Sequence, residues 1–118
     1  MRIALCVLLL CYSEKPQKVP GVSTSTVTAR TALVTWTKYS PGVDEAPIIN
    51  ITVRYQSSTS PYHSAILAGS SSRKELTNLK PFSKYNVTVM ASSFLGDGLW
   101  STTVTFETLT ASKFTIQP

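Results

Sequence analysis

One histidine, six carboxylates and two cysteines are the whole stock from which this 118-residue chain could build a reactive centre. His63 would have to be the base of any Ser-His-Asp arrangement, yet no carboxylate lies near it in sequence. Asp44 and Glu45 are adjacent, so their side chains tend to diverge. They also sit in a loop-like stretch without the apolar pocket that would raise a carboxyl pKa for acid catalysis. Zinc needs a tetrahedral set of ligands, and one His without a nearby Cys falls short of it. Gly96-x-Gly98 does not lead into a helical pattern, so it reads as a turn rather than a phosphate loop. No catalytic residue, no metal and no cofactor is expected.

Two motifs carry chemistry that other enzymes would perform. Asn50-Ile51-Thr52 and Asn86-Val87-Thr88 both fit the N-glycosylation acceptor pattern N-x-[ST]. Such sites matter only in a chain that is exported, and the first residues bear on that. Met1-Arg2 is followed by ten apolar residues, 3–12 (IALCVLLLCY), and then by Ser13-Glu14-Lys15. As a helix the run would rise ~15 Å, half the ~30 Å of a bilayer core, so it is too short for a membrane span. A positive start, a short apolar stretch and small residues before a polar switch describe a secretory signal. Cys11 and Ser13 would take the −3 and −1 positions of cleavage after Ser13. Both cysteines, Cys6 and Cys11, lie inside that run, so the body has no thiol and no disulfide.

The elements that must position these residues are strands. Hydrophobic residues make up 42% and charged residues 14% of the chain, which excludes a disordered polyelectrolyte. Period-two alternation recurs at 22–28, 32–37, 48–56, 63–67, 73–77, 84–92 and 102–109, with no sustained helical period. Gly, Pro and Ser clusters separate most of these runs. The expectation is an all-β fold, a seven-stranded antiparallel β-sandwich. The alternation turns Ala32, Val34 and Trp36 inward. It does the same for Ile51, Val53 and Tyr55, and for Tyr85, Val87, Val89 and Ala91. Asn50, Thr52, Arg54, Asn86, Thr88 and Met90 are left outward.

Trp36 late in the second run, Ile51-x-Val53-x-Tyr55, and Leu79-x-Pro81-x-x-x-Tyr85-x-Val87-x-Val89 resemble the fibronectin type III domain, an immunoglobulin-like sandwich. The Leu79, Pro81, Tyr85 segment is similar to that family's tyrosine corner, in which the phenol bonds back to upstream backbone. Gly96-Asp97-Gly98 before Trp100-Ser101 resembles the approach to its last strand. Lys74 departs from the family pattern, standing where an apolar residue is usual. The resemblance divides the chain into a signal at 1–13, a linker at 14–19, the domain at 20–109, and a linker at 110–118 towards a further module.

The resemblance implies a non-catalytic protein–protein interaction module of an extracellular receptor or adhesion protein, secreted or part of a membrane protein's ectodomain. Its topology gathers Asp44 and Glu45 in the B–C loop with Asp97 and Trp100 in the F–G loop, a candidate partner-binding end. Trp100 either completes that surface or packs over the sheet. Arg30, Arg54, Lys80 and Lys84 would form a basic rim at the other end. With a net charge of +5 but no basic run, that rim supports an alternative: a secreted protein binding an anionic glycosaminoglycan or matrix. Nucleic acid is not expected. N-terminal sequencing of secreted protein should read from Glu14; an uncleaved cytosolic product would remove both the export and the glycan readings.

Overall fold

A computed structural model describes residues 12–111; Cys6, Cys11 and most of the apolar run lie outside these, as do residues 112–118. The regular elements are β1 (Ser23–Ser25), β2 (Ala32–Thr35), β3 (Asn50–Ser57), β4 (His63–Ala68), β5 (Arg73–Leu76), β6 (Lys84–Ser93), β7 (Gly96–Trp100) and β8 (Val104–Glu107). They form two antiparallel sheets, one ordered β1-β2-β5 and one ordered β4-β3-β6-β7, with β8 also pairing β6.

The expected inward residues do form the core. Ala32, Val34 and Trp36 face Ile51, Val53, Val87 and Val89 across the sandwich, all buried. Tyr55 is half-buried at the margin, its ring tilted against His63 at 5.5 Å. The Trp36 indole N–H donates to the Ser71 carbonyl at 2.9 Å, so its one polar atom is satisfied. At the opposite end the Lys80 N–H donates to the Tyr85 hydroxyl at 2.8 Å, while Tyr85 stacks on Phe106. Thr108 braces that corner by donating to the Lys80 carbonyl at 2.6 Å and accepting from the Ser83 N–H at 2.9 Å. Lys74 lies opposite Val34, so it points into the sandwich and reaches solvent along its stem from an edge strand.

The expected all-β antiparallel sandwich is the fold found, and three details differ. First, eight strands stand where seven were expected, because β7 precedes the last expected run, 102–109. The register of β7 shifts against β6 between Met90 and Ser92. Beyond Trp100 the Ser101 N–H donates to the Val89 carbonyl, and its hydroxyl accepts from the Val89 N–H, each at 2.9 Å. A side-chain oxygen thus stands in the ladder where a backbone carbonyl would be, and β8 takes up the pairing from Val104 with its register moved by one residue. Second, Gly96-Asp97-Gly98 is strand, not turn; the turn is Phe94-Leu95. Third, Met90 is buried, because Trp100 opposite it covers the outer side of β6.

Residues 14–19, expected as a linker, lie along the sandwich as a strap bonded to it. Ser13 and Glu14 donate their N–H groups to the Asp44 carbonyl at 2.9 and 3.0 Å, and the Pro16 carbonyl accepts from the Leu99 N–H at 3.2 Å. Pro16 and Val19 are buried. This strap explains Gly98, where a Cβ would collide with the Pro16 carbonyl oxygen. Further along, the Gln17 N–H donates to the Tyr39 hydroxyl at 2.7 Å, which in turn donates to Glu45 Oε1 at 2.5 Å.

Trp36→Ala should cost ~3–5 kcal/mol in urea unfolding, through lost burial and the cavity left behind. Burial, reinforced by the bond to Glu45, pushes the Tyr39 hydroxyl above its ordinary pKa of 10.0. Folded Tyr39 therefore keeps its proton where the unfolded chain has lost it. Its contribution to stability is complete below pH 10 and is lost as pH rises through the folded pKa. Tyr39→Phe should flatten that alkaline decline, and should cost about 1–3 kcal/mol at neutral pH by leaving Glu45 and the Gln17 N–H without their partner.

Candidate interaction surface

Because Ile51, Val53 and Tyr55 turn inward, Thr52 and Arg54 stand on the outer face of the larger sheet. The register sets Arg54 beside Ser64 of β4 and Thr88 of β6. Its guanidinium carbon lies 3.9 Å from the centroid of the Trp100 ring and 4.8 Å from that of Tyr62. Trp100 belongs to β7, two strands away, so its ring crosses β6 to reach the cation; Tyr62 comes from the loop before β4. Each such contact is worth about 0.5–1 kcal/mol at an exposed site. Together they hold a long, flexible side chain in one place. A guanidinium against aromatic faces keeps its in-plane N–H donors for a ligand. Beside it lies a shallow hollow lined by Arg54, Tyr55, Gln56, Asn86, Thr88 and Thr103.

The acidic loop end is taken apart by the fold. Glu45 is only 8% exposed and accepts from Tyr39, so it serves the interior rather than a partner. Asp44 binds the strap through its carbonyl. Asp97 is in β7, opposite Ser92, whose hydroxyl donates to Asp97 Oδ1 at 2.8 Å. Trp100 lies over the sheet with Arg54, the second of the two placements open from sequence. The basic rim is likewise thinned. Arg30 and Lys80 are close, since the Leu79 N–H donates to the Arg30 carbonyl at 3.0 Å. Lys84 is opposite Glu107, and Arg54 is in the middle of the face instead of on the rim.

Both sequon asparagines are on the outer face, Asn86 exposed and Asn50 half-buried. Asn86 accepts from the Thr105 hydroxyl through Oδ1 at 2.8 Å, which leaves the amide nitrogen, the atom a glycan joins. The Arg54, Trp100 and Tyr62 set was not visible in the sequence. Arg54 had the outward phase, but Trp100 followed an apparent turn and Tyr62 followed Pro61, so neither had a face until the pairing was known. Among the described residues, no three His, Cys, Asp or Glu side chains gather where a metal could be held.

No curated protein matches the sequence. Solved structures share the fold. The third type III domain of human KIAA0343 superposes with a TM-score of 0.74 at 21% identity, over 82% of this chain and 86% of that one. A type III domain of human contactin 1 gives 0.73 at 20% identity, over 86% and 85%. A chicken CNTN1 fragment of three such domains gives 0.71 at 21%; this chain, 80% of it aligned, spans 33% of that fragment. A family model described as the fibronectin type III domain matches residues 14–107, the same stretch that runs from the strap to the end of β8. Domains of this kind are generally non-catalytic and mediate protein interactions, and this chain belongs to the fibronectin type III family.

Proposed function

We propose that the chain is a non-catalytic, extracellular protein-interaction module, of the kind found in receptors and adhesion proteins, and that it meets its partner through the outer face of the larger sheet. The observation that carries this reading is the Arg54 guanidinium held over Trp100 and Tyr62. A stacked, pre-ordered arginine loses little freedom on binding, and such anchors dominate protein interfaces. The partner that fits presents a carboxylate to the guanidinium edge and apolar surface to the rings. Export supplies the setting, with the signal at 1–13 removed and glycans on Asn86 and Asn50. Asn86 lines the hollow beside Arg54, so a glycan there stands at the rim of the contact and limits its size.

The test uses the chain secreted from cultured cells against an array of extracellular protein ectodomains. Arg54→Ala and Trp100→Ala should each weaken a specific interaction by about tenfold or more while leaving the fold intact, and Asn86→Gln should leave it equal or tighter. Undiminished binding by both variants would place the contact elsewhere. Heparin chromatography separates the alternative. Release below physiological salt fits the protein-binding reading. Retention above it, lost on Arg30→Ala with Lys80→Ala, would favour a glycosaminoglycan ligand.

A further inference from the structure

Open sheet edges carry unpaired N–H and C=O groups that can take up another strand, and folded proteins blunt them with short strands, charges or coverings. Among the described residues most edges of this sandwich are blunted. β1 has three residues. β5 reads Arg73-Lys74-Glu75-Leu76, with Lys74 turned inward. β7 is covered by the strap through Pro16 and Leu99, and β8 is four residues long and includes Glu107. β4 has none of these devices. Its six residues, His63-Ser64-Ala65-Ile66-Leu67-Ala68, include no proline and no side chain formally charged at pH 7. Its pairing with β3 runs without a bulge from His63 to Ala68, and Ile66 is 70% exposed.

The hydrogen-bond phase identifies the groups that point outward. Val89 turns both its N–H and its C=O towards Ser101. In an antiparallel ladder its opposite on β3, Val53, must then turn towards β4, where it meets Ala65. Ser64, Ile66 and Ala68 alternate with Ala65 and so aim their backbone groups at the open edge. The Ala68 carbonyl is engaged by the Ser71 N–H at 3.0 Å.

We propose that β4 pairs antiparallel with β4 of a second copy of this chain, about a two-fold axis at Ile66. Opposite residues in such a pair share a face. Ile66 then meets Ile66 of the partner subunit on the outer face, Ser64 meets the partner's Ala68, and Ala65 meets the partner's Leu67 on the inner side. None of the chain's formal charges is on this strand, so self-pairing sets no like charges opposite each other at the seam. The net charge of +5 on each copy opposes association at longer range and keeps it weak. A foreign strand would need its own apolar residue to cover Ile66, whereas a second copy brings one by symmetry. Six residues extend only about 20 Å, less than a standard interface requires, so the dimer is weak and dissociates on dilution.

Sedimentation equilibrium of the secreted chain, from about 10 µM to about 0.5 mM, reads this association. The wild type should shift from monomer to dimer across that range, and the Ile66 amide should exchange more slowly as the dimer fills. Ile66→Lys should raise the dissociation constant by about tenfold or more by setting two ammonium groups together, with no change in thermal midpoint because the position is exposed. Ser64→Pro should do the same by removing an outward N–H while Ala65 keeps its bonds to β3. Trp100→Ala should leave the association unchanged, which separates it from the surface proposed above. A chain that stays monomeric throughout, or a dimer indifferent to both β4 variants, would overturn the proposal. Protection of the Ile66 amide only when an added unrelated peptide binds would assign the edge to a foreign strand instead.

Discussion

From Ser13 to Pro118 the chain contains no cysteine, so apolar burial between the sheets must hold the sandwich closed. That constraint accounts for where the large side chains are spent. Valines fill the middle, where two flat sheets need compact, stiff side chains, and aromatics close the two ends. Trp36 seals one end and is fixed by the Ser71 carbonyl. Tyr85 seals the other and is fixed by the Lys80 N–H and by Phe106. Each aromatic thus fills volume and also satisfies a polar group that irregular backbone would otherwise bury unpaired.

The strap solves a second problem set by the same economy. A five-residue β7 with two glycines would be a weak, open edge; residues 14–17 cover it instead and carry the chain across to the smaller sheet. The crossing is secured at Tyr39, whose hydroxyl joins the Gln17 N–H to a buried carboxylate on Glu45. Burying an acid is costly, and the Tyr39 hydroxyl offsets part of that cost by donating to it.

What the sequence revealed follows the range of the forces involved. Alternation is a local signal, and it identified Val34, Trp36, Val53 and Val87 as core because a strand with one buried face repeats every two residues. The corner around Tyr85 was legible through the resemblance of Leu79, Pro81 and Tyr85 to a tyrosine corner, and the Lys80 N–H does bond to that hydroxyl. Properties set between strands were not legible. Met90 reads as outward until Trp100 is known to lie across it. Gly96 and Gly98 look like turn residues until Lys15 and Pro16 are found against them. Glu45 looks like surface charge until Tyr39 reaches it. For the same reason the candidate site was legible only in part: the outward phase of Arg54 was clear, but the two rings that orient it come from distant segments.

The strap also determines where the domain can be pulled. The strap begins where the Glu14 N–H donates to the Asp44 carbonyl, whereas Leu109 bonds to Thr28 and Phe82 at the opposite pole. The two ends of the described chain therefore leave from opposite poles, along the strand direction. Tension applied between them loads the strap's bonds to Asp44 and Leu99 and the terminal bonds of β8 in shear, many at once, instead of peeling them singly. Under force such a domain behaves as a stiff spacer whose lifetime is a rate of rupture, governed by its unfolding barrier and not by its equilibrium stability.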